Sequence, residues 1–319
     1  MSQYPTSPHS GGQFPNDQSN QGAPGIAIAA LVCGIIGFCF APLGIVALIL
    51  GIVFLSQSRD GQPGRGMALA GTILGGFGLV VGVVALLIAI LLPALGAARS
   101  TAQRMQNSTQ LRGIHQGMVT YANSNKNHFP GLATNGEILV DGVPTGNSGD
   151  GNTPQARAWI LLDGDYMTPE YLISPSETEA IYDYAGSGPV TKDNYSYAML
   201  SFDKTGGINT NANTGEQTYA IDPATFGRSQ EWGQTINSQT IVLSDRNTGT
   251  DANFGVDSIH SDSPGNWRGS VLWNDNHVEF ASTHIFQTKY ANGSLNNNDN
   301  LFEDDGTGGF DALLIWDRP

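Results

Sequence analysis

The chain is short of charge, of cysteine and above all of basic residues. Lys and Arg number 14 against 28 Asp and Glu, a formal net charge of −14 over 319 residues, and charged residues make up only 13%. That balance excludes nucleic acid as a partner, because neutralising a phosphate backbone takes a surplus of Lys and Arg. The two cysteines, Cys33 and Cys39, cannot staple a small disulfide scaffold. Residues 1–24 hold no Lys or Arg and a single acid, Asp17, so the basic start of a secretory signal peptide is missing. Their Ser, Gln, Asn, Pro and Gly bury too little apolar surface to fold and read as a disordered polar tail. No G-x-S-x-G elbow, H-E-x-x-H pair or P-loop occurs.

Two stretches, residues 25–55 and 66–98, have no charge at all. Each exceeds the roughly 20 apolar residues that cross a hydrocarbon core, so two transmembrane helices are expected, at 26–55 and 67–95. Pro42-Leu43-Gly44 interrupts the first, whose halves are too short to cross alone. One kinked span is therefore preferred to a broken hairpin. The linking loop carries Arg59 and Arg65 while the tail carries no base, which predicts a cytoplasmic loop with both termini outside. Arg99, Arg104 and Arg112, just past the second span, pull the other way. Gly71, Gly75, Gly78 and Gly82 share one helix face, as do Gly37, Gly44 and Gly51 on the first span. Such stripes let helices approach closely in lipid, either span on span or between copies. Cys33 and Cys39 read as inert core residues of the first span.

Only Asp17, Arg59, Asp60 and Arg65 are charged before residue 96, so the whole net charge of −14 belongs to residues 96–319. Leu111, Ile114, Met118 and Tyr121 fall on one helix face, and Ala94, Ala98, Ala102 and Met105 extend the stripe upstream. The spacing predicts a helix over 96–124 continuous with the second span, kinked at Pro93 and stopped by Asn125 and Pro130. Strands are expected at 158–162, 195–202, 240–244, 270–273, 277–281 and 312–316 within a β-rich region 130–319. The clearest hairpin is GSVLW-ND-NHVEF, turning at Asn274-Asp275. A long helix followed by antiparallel strands is an α+β plan.

Catalytic candidates are sparse. Asp245, His260 and Ser258 have the residue types of a hydrolytic triad at arbitrary spacing, and His260, His277 and His284 lack the spacing of a metal site. Asp245-Arg246 reads as an ion pair or turn at a strand end. Trp232, Trp267 and Trp273 are candidates for stacking on a sugar or peptide. Asn296–Asn298 with Asp299, Glu303, Asp304 and Asp305 form an oxygen-rich stretch suited to calcium, although the full D-x-[DN]-x-[DN]-G motif is absent.

The run from Ala85 to Pro130 resembles the N-terminal helix of type II secretion pseudopilins and type IV pilin-like proteins, in the version abundant in Planctomycetes. The matching features are the LLPAL motif at 91–95, Ala98-Arg99, Leu111-Arg112, YANSN at 121–125 and Phe129-Pro130. VLSDRN, His260 and VLWNDNHVEF resemble the same group's final hairpin. The resemblance implies a pilin-like helix packed on an antiparallel sheet and an extracytoplasmic C-terminal domain on a bacterial inner-membrane anchor. It also implies assembly with itself or with secretion or pilus-like components, and it favours calcium at the C-terminal acidic stretch. Pilins are cut between Gly and Phe and carry Glu at the fifth mature position. Here Gly76-Phe77 is followed by Val81 at that position, with no adjoining base, so a permanent anchor is expected. The first span and its loop, ending in GRGMALAGTILG at 64–75, resemble part of a small Gly-rich two-span bacterial domain of unknown function that would cover about residues 25–92. The expectation is a non-enzymatic pseudopilin-like envelope protein; the alternative is a ligand-binding domain on a membrane anchor.

Overall fold

The computed structural model describes residues 23–37, 41–57, 64–141, 151–183, 189–202, 206–210, 212, 217–222, 224–234, 237–249, 255–261, 263, 265–304 and 310–315. Two compact units result, Met1–Ala98 and Arg99–Pro319.

Unit one is helical. The first apolar stretch is not one kinked span: α1 (Ala23–Gly37) and α2 (Ala41–Gln57) are separate helices that pack on each other. Pro42, at the start of α2, suits a first helical turn, where its missing N–H costs nothing. The expected tail lies outside the described residues as far as 22, and Ala23 and Pro24 open α1. α3 (Arg65–Ser124) is a 60-residue helix containing Pro93. Among the described residues it alone is long and apolar enough to cross a membrane, while α1 and α2 have 15 and 17 residues.

Unit two takes in the last part of α3 and an antiparallel β-structure. Leu111, Ile114, Met118 and Ala122 of α3 are buried in the unit's single large apolar cluster. Each large side chain so buried contributes roughly 1.5–3 kcal/mol. The main sheet has five strands: β2 (Tyr197–Leu200), β5 (Ile241–Asp245), β6 (Gly269–Trp273), β7 (Val278–Ala281) and β10 (Leu314–Ile315), ordered β10-β2-β5-β6-β7. All its pairings are antiparallel. A three-stranded sheet joins β1 (Ile138–Asp141), β4 (Gln217–Tyr219) and β3 (Ile208–Thr210). β8 (Ile285–Thr288) pairs with β9 (Asn296–Asn300). The unit is α+β, with an apolar N-terminal helix and antiparallel sheets.

Two local expectations are corrected. Residues 158–162 belong to a helix, α4 (Pro154–Asp163), rather than a strand. Thr153 caps it, its hydroxyl accepting from Ala156 N at 3.3 Å, and Pro154 opens the first turn, a start signal that outranks a short apolar run. The β6–β7 hairpin turns through three residues rather than two. Trp273 N donates to His277 O and Asn276 N to Trp273 O, each at 2.9 Å, and the left-handed residue is Asn276 (φ 68°). α3 stops at Ser124, where Lys126 and Asn127 turn the chain through positive φ. Trp316, the expected end of the last strand, lies outside the described residues.

Candidate functional site

In unit one the glycines bring backbones together. A Cβ on Gly71 would lie 2.7 Å from the Ala30 carbonyl of α1, and one on Gly75 would lie 2.9 Å from the Gly44 carbonyl of α2. A Cβ on Gly34 would stand 2.9 Å from Gly71 O, and one on Gly51 would collide with the Thr72 hydroxyl. No side chain fits at these positions, which is how small residues allow helices to associate without large apolar anchors. Gly78 is buried and Gly82 half-buried on α3, and Gly37 is the last residue of α1. Gly76, off the stripe, faces open space. Cys33 is free and half-buried; Cys39 lies outside the described residues.

In unit two the polar chemistry gathers where α3 meets the sheet. The Asp245 carboxylate is buried at the end of β5. Its Oδ1 accepts from Asn107 Nδ2 at 2.8 Å and its Oδ2 from the Ser270 amide at 2.7 Å. Asn107 Nδ2 also donates to Ser270 Oγ at 3.0 Å, and Asn107 Oδ1 accepts from the Tyr197 hydroxyl at 2.7 Å. Further along α3, Gln110 Nε2 donates to Glu170 O at 2.9 Å, and His115 Nε2 meets Asn274 Oδ1 at 3.3 Å. Burial pushes the Asp245 carboxyl up to about 7, against the opposing pull of its Asn107 and Ser270 hydrogen bonds. Asn107 lies one turn before Leu111 on the predicted apolar stripe, and an amide at a core position was the signal that sequence reasoning passed over.

The triad residues do not form a relay. His260 Nε2 lies 3.7 Å from Asp245 Oδ2, and burial, with Arg104 and Arg268 nearby, lowers the imidazole pKa. The raised carboxyl and the lowered imidazole both disfavour the charged pair, so burial weakens this contact as an ion pair. The Ser258 hydroxyl is spent on its own loop, donating to Arg268 O at 2.5 Å and accepting from the His260 and Arg268 amides, each at 3.2 Å. Arg246 pairs with Glu177 at 2.9 Å and Glu179 at 2.5 Å.

Burial overturns two of the three stacking candidates. Trp267 and Trp232 are 0% exposed, the first donating Nε1–H to Arg246 O at 3.3 Å and the second to Pro130 O at 2.8 Å. Trp232 packs against Phe129 and under the Arg157 guanidinium, 4.3 Å from its ring. Both are core anchors whose faces a ligand cannot reach. Trp273 is half-buried between His277 and Phe286.

The acidic stretch is not a loop throughout, because Asn296–Asn300 form β9, held by pairing to β8 despite their low strand propensity. Asp299 is buried, accepting from the Thr288 hydroxyl and from the Ala312 amide at 2.7 Å. Asp304 pairs with Arg228 at 3.2 Å, and Glu303 accepts from Asn300 Nδ2 at 3.1 Å. Asp305 lies outside the described residues. Among the described residues no three His, Cys, Asp or Glu side chains converge in a way that would hold a metal ion.

A family described as a domain of unknown function (DUF4190) matches residues 26–93, which is α1, α2 and the apolar part of α3. No pseudopilin family matches. No curated protein and no solved structure matches the chain.

Proposed function

We propose that this chain is a non-enzymatic structural protein of a bacterial cell envelope. In this reading α3 anchors it in the inner membrane, and a pilin-like extracytoplasmic unit associates with further copies or with secretion or pilus-like components. The observation that carries the reading is α3. It is charge-free and laterally exposed over residues 83–98, then amphipathic, and it ends seated on an antiparallel sheet through Leu111, Ile114 and Met118. An apolar helix that continues into the spine of an α+β domain is the plan of the pilin-like proteins that residues 85–130 resemble. The non-enzymatic part is supported by the buried Asp245 seam, whose donors and acceptors are spent on joining helix to sheet.

The test is in-membrane cross-linking of the full chain, with N-terminal sequencing and intact mass of the extracted protein. The expected result is a start at Met1 or Ser2 and cross-links to the chain itself or to envelope assembly components. A start at Phe77 would make it a processed filament subunit. Saturable small-ligand binding without protein cross-links would overturn the structural role.

A further inference from the structure

The hairpin and the helix it packs on differ greatly in length. α1 and α2, at 15 and 17 residues, extend about 22 and 25 Å at ~1.5 Å per residue. The charge-free part of α3, residues 66–98, extends about 50 Å by the same rise, against roughly 30 Å of hydrocarbon in a bilayer. The contacts fix where the hairpin sits along α3. Ala27, Phe54 and Ala68 share one small apolar cluster, so the open end of the hairpin is level with the start of α3. Higher up, Gly71 meets Ala30, and Gly75 meets Gly44 and Ala47, so α1 runs parallel to α3 and α2 runs back. Gly78 is the last buried residue in this part of α3. Beyond Gly78 only Leu79 and Gly82 are half-buried, and the rest of α3 as far as residue 98 is exposed: Val80, Leu86, Ile90 and Leu95 are 62, 62, 61 and 67% exposed.

If the tip reached the far surface of the bilayer, residues 79–98 would stand in water as about 30 Å of uncovered apolar helix. Most of a segment that apolar must lie in lipid. The hairpin therefore ends inside the bilayer. Its legs match the depth of one leaflet with its headgroups, about 20–22 Å, half of the ~40–45 Å total. Its outer face, with Ile28, Ile35, Ile49 and Ile52 at 49, 58, 57 and 55% exposed, is chemistry suited to acyl chains. The sequence agrees: Phe38, Cys39 and Phe40, which link α1 to α2 in the chain, are apolar, whereas the residues after α2's apolar run, Ser56, Gln57, Ser58, Arg59 and Asp60, are polar.

We propose that α1 and α2 form a wedge seated in a single leaflet, entering and leaving on the face where α3 begins. The N-terminal tail then lies on the same face as Arg59 and Arg65, and the chain beyond α3's apolar stretch emerges on the other. This reverses the arrangement with both termini outside that the charge distribution alone suggests. It rests on the reading that α3 crosses the bilayer.

The test labels single cysteines with a membrane-impermeant maleimide in full-length protein carrying Cys33→Ala and Cys39→Ala. The sites are Ser10→Cys in the tail, Ser58→Cys in the loop and Thr120→Cys on the exposed side of α3, and labelling is compared in inverted vesicles and spheroplasts. Ser10→Cys and Ser58→Cys are expected to label from one face and Thr120→Cys from the other, each with at least a tenfold preference. Proteinase K applied to the unsubstituted chain checks the tail without any mutation and is expected to remove it from the face that exposes Ser58→Cys. Labelling of Ser10→Cys and Ser58→Cys from opposite faces means a complete span separates them and overturns the wedge. All three labelling from one face means that α3 does not cross, which overturns the anchoring role under the proposed function.

Discussion

The two units hold themselves together by opposite means. In residues 23–98 the closest approaches are made by residues with nearly no side chain: Gly71 against Ala30, Gly75 against Gly44, Gly51 against Thr72. In residues 99–315 the same task falls to large side chains with a polar end, with Trp232 on Pro130 O, Tyr197 on Asn107, and Asn107 on Asp245. The difference follows from the solvent each sequence is built for. Lipid gives no reward for burying a Leu, so helices there gain from backbone proximity; water does, so the folded unit buries bulk and satisfies each polar tip. The natural reporters divide along the same line. Both cysteines lie before residue 98 and all five Trp after it, so thiol reactivity reads one unit and Trp fluorescence the other in the intact chain.

The largest expected effect tests the bulky side of this contrast. Trp232→Ala removes a fully buried ring packed against Phe129 and Arg157 and should cost about 3–5 kcal/mol, read as a lowered urea midpoint of Trp fluorescence. Thiol labelling of Cys33 should not change. Parallel losses in both readouts would mean that the units unfold as one.

Next is the pH dependence of the α3–sheet seam. Because the folded Asp245 titrates near 7 against an ordinary value of 3.8, the folded chain keeps a proton that the unfolded chain releases across that interval. The contribution is fully present below pH 3.8, declines by up to about 1.4 kcal/mol per unit as pH rises towards 7, and is flat above it. His115 and His260, whose pKa values are lowered by burial, act in the opposite direction, so the informative quantity is the difference from Asp245→Asn. That variant should lose the decline between pH 5 and 7.5 in urea unfolding. A slope unchanged by Asp245→Asn would remove Asp245 as its source.

The glycine side is tested by two neighbours. Gly75→Leu must push α2 off α3 and should cost about 1–3 kcal/mol, speeding maleimide labelling of Cys33 in the Cys39→Ala background. Gly76→Leu, facing open space, should leave that rate unchanged. Equal effects from both would show that the stripe is not the contact. The smallest effect belongs to the β6–β7 turn, where Asn276→Ala at φ 68° should cost about 1 kcal/mol by Trp fluorescence, with Asn276→Gly neutral.

Periodicity made much of unit two legible. The Leu111, Ile114 and Met118 stripe is the face that α3 buries, and the alternation in GSVLW and HVEF is the β6–β7 ladder, with Ser270 opposite Phe280 and Leu272 opposite Val278. What escaped depends on partners distant in sequence. β9, with its run of Asn, is a strand only because β8 lies alongside it, and the seam joins residues 138 apart in Asn107 and Asp245. The helix of residues 154–163 was legible in Thr153-Pro154 but masked by the apolar run that follows. Pro42-Leu43-Gly44, at the start of α2, signalled that the first apolar stretch is interrupted; its weight depended on whether each half finds a neighbour to pack on, which composition does not record.

The borders of the five-stranded sheet decide how copies of unit two can meet. At one border β7 carries the exposed Glu279, and the neighbouring Phe280 ring lies 4.2 Å beneath the Arg104 guanidinium and 5.3 Å from the His260 ring. A border guarded by a carboxylate and capped by a guanidinium gives an incoming strand little to continue. Growth of the five-stranded sheet by strand addition is thus disfavoured at its β7 border.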